Sequence, residues 1–344
     1  MLIIGCDFHS GFQQIAIFDN QTGEVVEKKL LHPGEAMVFY QGQREPVRVG
    51  MESGSPCQWF RRLLSECGHE LWIGDAARIR AAEVRRQKTD RRDAELILKL
   101  LLEERFPRIW VPSEEERDVR QLLLDRHHRM RMRTRVKNQL QSLALNQGLQ
   151  KGRKLWSEAG REQLRRLPMM EHAGRRRDQL LHAVAALDVQ VTELDVLVRR
   201  QAEGREDARR LMTHPGVGAQ TALGMVLTLG EVGRFAGAKQ VASYLGLTPR
   251  EHSSGGKQRL GHISKQGSTL MRFLLVEAGQ SAVKGDAQLR RAYGRMAAKK
   301  SRAVAKVMVA RRLAVRLYWM LRRNWTYAEL VRHAGEPGSF CGEQ

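Results

Sequence analysis

Four carboxylates stand where the ends of regular elements would gather them. Asp7 closes the apolar run Leu2-Ile3-Ile4-Gly5-Cys6, Glu52 closes Val47-Arg48-Val49-Gly50-Met51, and Asp90 and Asp93 open a helical stretch in Lys88-Thr89-Asp90-Arg91-Arg92-Asp93-Ala94. If the two apolar runs are neighbouring strands, Asp7 and Glu52 share one sheet edge, and a spacing of three puts Asp90 and Asp93 on one helical face. Acids so placed repel one another unless a cation lies between them. Carboxylate oxygens are the ligands Mg²⁺ prefers, and two such ions roughly 3.5 to 4 Å apart activate an oxygen nucleophile and stabilise the leaving oxygen of a phosphodiester. Each acid also has an ordinary alternative: Asp7 capping a turn, Glu52 ending a strand, Asp90 capping a helix. Their joint placement in one fold order favours the metal site. Arg91 and Arg92 lie beside the acids, where a phosphate would approach.

A second chemical candidate is the loop Thr248-Pro249-Arg250-Glu251-His252-Ser253-Ser254-Gly255-Gly256-Lys257-Gln258-Arg259. Its glycines let backbone come close to a phosphodiester, Ser254 Oγ is a candidate nucleophile, and Arg250, Lys257, Arg259, His262 and Lys265 can offset charge growing on phosphorus. Ser253 beside Ser254 leaves two registers for the attacking hydroxyl, no general base is evident, and a plain flexible loop is the alternative. Pro215-Gly216-Val217-Gly218 lacks the third glycine of a dinucleotide fingerprint. It fits a helix-hairpin-helix turn better, with Gly216 and Gly218 exposing amide donors to phosphate, although ordinary helix packing explains it equally well. In the stretch from Arg126 to Lys137, Arg129, Arg131, Arg133 and Arg135 alternate with Met130, Met132 and Val136. This is either a solvated face or a groove for nucleic acid, structured RNA included.

These residues need a frame. Leu2 to Cys6, Gln14 to Phe18 and Val25 to Leu31 form an antiparallel meander. A strand at Val47 to Met51, a helix around Gln58 to Ser65, a strand at Leu71 to Gly74 and a helix from Ala94 to Leu102 follow. Three antiparallel strands, then alternating helices and strands, describe a ribonuclease-H-like α/β sheet. Ser113 with Glu116 is a capping box that opens a long helix. The middle of the chain is helical, and Leu180, Val184, Leu187, Val191, Leu194 and Val198 keep one apolar seam for a partner helix of the same chain or of another copy. Beyond Leu211 a third, mostly helical part ends in a basic amphipathic helix from about Ala303 to Arg323 and a polar tail from Gly335. The expected domains are 1–112, 113–205 and 206–344.

The 344 residues carry 59 Lys and Arg against 38 Asp and Glu, a formal charge of +21, which points to a polyanionic partner, DNA or RNA before a membrane. The apolar stretch Val304 to Leu321 is broken by Lys306, Arg311, Arg312 and Arg316, so it reads as a buried amphipathic helix rather than a span. The start shows no cationic leader with an apolar core, and the expected location is the cytoplasm. Cys6, Cys57, Cys67 and Cys341 have no paired ligand spacing, which argues against zinc and disulfides.

In this order the motifs resemble the IS one-ten family of insertion-sequence transposases, related to the Piv-type DNA invertases. The resemblance rests on Gly5-Cys6-Asp7, Met51-Glu52-Ser53-Gly54, Lys88 to Ala94, Pro215 to Gly218, Tyr244-Leu245-Gly246-Leu247-Thr248-Pro249, and Ser254-Gly255 with Ile263-Ser264-Lys265-Gln266-Gly267. It implies a RuvC-like Asp-Glu-Asp-Asp domain at Asp7, Glu52, Asp90 and Asp93, a coiled coil, and a carboxy-terminal transposase domain whose catalytic serine falls on Ser254. It further implies a covalent serine-DNA intermediate, a homo-oligomer (dimer or tetramer) with a composite site, and an element-encoded bridge RNA. Phe8-His9-Ser10-Gly11 departs from the family pattern after the first Asp. The expected function is therefore a transposase that cuts and rejoins DNA at element ends and target. The alternatives are a RuvC-like nuclease that hydrolyses junction DNA with water, and a non-catalytic nucleic-acid scaffold.

Overall fold

The structure is a computed structural model that describes residues 1–54, 57–82, 89–150, 152–251 and 259–333. The chain divides into two compact units, Met1–Val111 and Pro112–Gln344.

The first unit runs β1 (Leu2–Phe8), β2 (Phe12–Asp19), β3 (Val25–Leu31), α1 (Gly34–Gln41), β4 (Arg48–Glu52), α2 (Gln58–Glu66), β5 (Glu70–Gly74), α3 (Ala76–Ala81) and α4 (Asp90–Leu102). Its strands form one mixed sheet in the order β3-β2-β1-β4-β5, with β1 antiparallel to β2 and parallel to β4. This is the ribonuclease-H-like arrangement expected from the sequence. Alternation along the strands sorts the core into two layers. Ile4, Cys6, Ile15, Ile17, Val49 and Met51 face α1 and α2 through Tyr40, Phe60 and Leu64. Ile3 and Ala16 face α4 through Ala94, Ile97, Leu98 and Leu101.

Two paired glycines let α4 lie directly on the sheet. Gly5 stands opposite Gly50 in the β1/β4 register. A Cβ on Gly5 would come within 2.2 Å of the Ala94 carbonyl and 2.4 Å of the Leu98 nitrogen, and one on Gly50 would meet the Leu101 side chain at 2.7 Å. Asp7 and Glu52 each lie two residues beyond these glycines, so the pleat puts both acids on the α4 side of the sheet.

The second unit is largely helical: α5 (Glu114–Asn146), α6 (Glu158–Arg166), α7 (Glu171–Glu203), α8 (Glu206–Met212), α9 (Ala219–Leu229) and α10 (Ala238–Tyr244) precede a two-stranded ribbon of β6 (Pro249–Glu251) and β7 (Leu260–Ile263). Then come α11 (Thr269–Gly285), α12 (Ala287–Lys299), α13 (Arg302–Arg323) and α14 (Tyr327–His333). The ribbon is an addition to the mostly helical part expected, where only a Gly/Ser loop was legible. Ser113 and Glu116 make the anticipated capping box at the start of α5. Of the apolar seam on α7, Val184, Leu187, Val191 and Val198 are buried as that helix packs along α5 of the same chain. The seam is thus used within the chain, and assembly between copies cannot rest on it. Around α9, whose residues are buried on nearly every side, α8, α10, α11 and α13 close the main core. Among the described residues no helix is long and apolar enough to cross a membrane.

Candidate metal centre

Asp7 is the penultimate residue of β1, and the turn that follows carries His9, whose N–H donates to the Phe12 carbonyl at 2.9 Å. Asp90 is the first residue of α4. Thr89 takes the cap, its hydroxyl accepting from the Arg92 N–H, so the ordinary alternative in which Asp90 caps the helix does not hold and its carboxylate is left for other work. Because α4 sits on Gly5 through Ala94 and Leu98, its first turn overhangs Asp7. One oxygen each from Asp7 and Asp90 and one nitrogen from His9 lie within 4.8 Å of one another. His9 Nε2 is 3.0 Å from Asp7 Oδ2 and 3.6 Å from Asp90 Oδ1. The His9 ring stacks on Phe12 with centroids 4.6 Å apart, which limits its rotation.

Burial raises the Asp7 carboxyl above its ordinary range; His9 opposes this, while the charges of Asp93 and Asp90 add to it. Glu52 ends β4 on the neighbouring strand, where its carboxylate accepts from Arg80 Nη2 at 3.0 Å. The structure therefore brings Asp7 and Asp90 together, with Asp93 close enough to raise the Asp7 carboxyl, and ties Glu52 to a cation on α3. His9 was visible in the sequence only as an unusual residue after the first Asp. The signal that could have found it is its position two residues beyond Asp7 on a tight turn. The donor set, two carboxylates and an imidazole at the end of a sheet, suits a divalent cation.

The cations expected to meet phosphate divide into two groups. Arg91 pairs with Glu27 of β3 at 2.5 Å and with Glu95 at 3.4 Å, so it braces α4 against the sheet. Arg129 donates to Gln190 at 3.1 Å and Arg133 to Asp188 at 3.0 Å, both on α7. Arg126 makes a two-pronged bond to Asp195, which also accepts from Gln220 of α9. In this structure these arginines join elements of the chain, Arg91 tying α4 to the sheet and Arg126, Arg129 and Arg133 tying α5 to α7. Arg131 and Arg135 are exposed and line a groove of about 890 Å³ between α5 and the start of α11, with His127, Asn138, Thr269 and Phe273.

Gly216 adopts a φ of +82°, and a Cβ there would fall 2.3 Å from the Ala282 nitrogen of α11. Close helix packing accounts for it. Gly218 is the N-cap of α9, with open space where a Cβ would stand and no side chain capping the helix. Arg250 lies on β6, Arg259 just before β7 and Lys265 just after it, all exposed. Ser253, Ser254 and Lys257, in the connection between these strands, lie outside the described residues.

Comparison with known proteins gives a consistent likeness in both units. Residues 208–303 match the family described as Transposase IS116/IS110/IS902 family, and residues 4–147 match a Transposase family of the DEDD IS110 type. The chain is similar to a probable family 20 transposase of Pseudomonas aeruginosa, 28% identical over 339 residues that cover 94% of this chain and 98% of the relative. It also resembles the transposase for insertion sequence element IS1111A of Coxiella burnetii, 28% identical over 58% of this chain and 56% of that protein. The pilin gene-inverting protein of Moraxella bovis is 28% identical over 49% of this chain and 45% of its own length.

Proposed function

The chain belongs to the IS110-type transposases, enzymes of DNA transposition, and from that premise we propose a division of labour between an acidic metal site and a serine nucleophile. Asp7 and Asp90, with Asp93 and Glu52 beside them, hold Mg²⁺, two ions when the site is full. Bound there, the metal supplies charge stabilisation to a phosphodiester undergoing displacement. The observation that carries this reading is the gathering of Asp7 with Asp90 of the first turn of α4, in a chain whose residues 4–147 and 208–303 match the two transposase families in that order.

Ser254 Oγ attacks phosphorus. A serine–phosphorus bond forms, the bond to the leaving DNA oxygen breaks, the Oγ proton is released and the leaving oxygen is protonated. Attack by a DNA hydroxyl on the phosphoserine reverses these changes and restores the serine, so the bond energy is kept through rejoining. Arg250, Lys257, Arg259 and Lys265 neutralise the charge that builds up on phosphorus, with Arg92 near the acids. Segment 1–112 supplies the acids, 113–205 the helical assembly region and 206–344 the serine. Gly218 and the groove with Arg131 and Arg135 hold nucleic acid: the DNA and, by family resemblance, a structured bridge RNA. Assembly as a dimer or tetramer has support from the outward face of α7, where Val189, Val196 and Leu197 are 58%, 62% and 44% exposed.

The test is the covalent adduct. Ser254→Ala should abolish protein–DNA adducts while DNA binding persists. Cut DNA without an adduct from the wild-type chain would instead identify a nuclease that uses water.

A further inference from the structure

We propose that His9 is itself a ligand of the divalent ion, which makes the centre a mixed nitrogen and oxygen site that selects Mn²⁺ over Mg²⁺. The inference rests on the reading that Asp7 and Asp90 hold that ion, and goes beyond it by adding a ligand of different chemistry. In an octahedral site with metal–ligand distances of about 2.1 Å, adjacent ligand atoms stand about 3.0 Å apart. His9 Nε2 lies 3.0 Å from Asp7 Oδ2 and 3.6 Å from Asp90 Oδ1, and the three ligand atoms lie within 4.8 Å of one another, close enough for small side-chain movements to bring them onto one ion. A small closing movement of the Asp90 side chain, which is half exposed on the first turn of α4, completes the set.

His9 is also held for this task. Its backbone closes the tight turn onto Phe12, and its ring stacks on the Phe12 ring, so the imidazole edge stays turned toward Asp7. Glu52 accepts from Arg80 in this structure, and the third donor gathered with Asp7 and Asp90 is His9. An imidazole nitrogen strengthens binding of later first-row divalent ions more than that of Mg²⁺, which prefers oxygen and keeps its water. The ligand of interest is therefore Mn²⁺ or a neighbouring transition ion, with Mg²⁺ the weaker occupant.

The experiment titrates Mn²⁺ into the metal-free full-length chain and records electron paramagnetic resonance, with free Mn²⁺ giving affinity and electron spin echo modulation giving nitrogen coupling. Wild-type protein should show modulation from one imidazole nitrogen. His9→Ala should lose it and bind Mn²⁺ at least about tenfold more weakly, while Mg²⁺ affinity, read by competition, changes less than about threefold. Bound Mn²⁺ without nitrogen coupling in the wild-type spectrum overturns the proposal without recourse to any variant. So does unchanged Mn²⁺ affinity in a folded His9→Ala protein. Asp7→Asn separates the two levels of inference. If it abolishes binding while His9→Ala does not, only the role of His9 fails; if it too binds normally, the carboxylate site itself is wrong.

Discussion

Asp7 pays for its position. Burial raises its carboxyl, His9 compensates in part, and the charges of Asp93 and Asp90 add to the rise. A carboxyl whose pKa is raised by folding opposes folding in its ionised form, so at neutral pH and without metal Asp7 destabilises the chain. Asn has the same shape without the charge. Asp7→Asn should therefore abolish metal-dependent DNA cleavage and strand transfer while leaving the metal-free melting temperature equal to or a few degrees above wild type. Calorimetry with and without a divalent ion measures this, and a clear drop in the metal-free melting temperature would show that the Asp7–His9 contact outweighs the cost of burial. A functional site that costs stability is the usual arrangement where charges are held ready for a ligand.

At the scale of elements, the site depends on how closely α4 approaches the sheet. Gly5→Ala places a methyl group against the backbone of Ala94 and Leu98 rather than against a side chain that could turn away. It should cost about 1 to 3 kcal/mol in denaturant unfolding and weaken divalent-ion binding by shifting Asp90, although the substitution touches no ligand. The helical unit has a joint of another kind. Asp286, 3% exposed, caps α12 and accepts from Arg316 of α13 at 2.6 Å and from the Tyr327 hydroxyl of α14 at 2.8 Å. His214 packs on Tyr327 at 4.7 Å, and burial lowers its pKa from 6.5 to about 4. Between those pH values the unfolded chain binds a proton that the folded chain refuses. Stability is thus fully present above about pH 6.5 and declines as pH falls toward 4, by on the order of 3 kcal/mol. Thermal melts across that range should show the slope, and His214→Gln should flatten it. Much of this frame was legible in the sequence. Period-two strands, the Ser113 capping box and the helical seam follow from local pattern, and Asp7, Glu52 and Asp90 fall at element ends as spacing required. What escaped was set by contacts across the fold. Nothing local to Arg129 or Arg133 says that Asp188 and Gln190 face them, and Gly216 could not be told from a phosphate-binding glycine before Ala282 was seen against it. His9 gains its meaning only when α4 brings Asp90 over the β1–β2 turn.

At the scale of the whole molecule, the 59 Lys and Arg overstate the cations available to nucleic acid, because many arginines are already bound to acids of the same chain. Counterion release counts the phosphates a protein neutralises, at about 0.9 in the slope of log affinity against log salt for each one on duplex DNA. Arg131 and Arg135 are exposed on the wall of the α5–α11 groove, whereas Arg129 and Arg133 serve the α5–α7 pairing. Replacing Arg131 and Arg135 together by Ala should therefore weaken DNA binding and flatten the salt slope by about two, with little change in melting temperature. Replacing Arg129 and Arg133 together should do the reverse, lowering the melting temperature through the bonds lost to Gln190 and Asp188 across the α5–α7 pairing while the slope stays near wild type. Fluorescence anisotropy at several salt concentrations, paired with thermal melts of the same proteins, distinguishes the two cases. Equal slopes in both double variants would place the groove outside the nucleic-acid path and send the search for the phosphate track to Gly218 and the ribbon cations Arg250, Arg259 and Lys265.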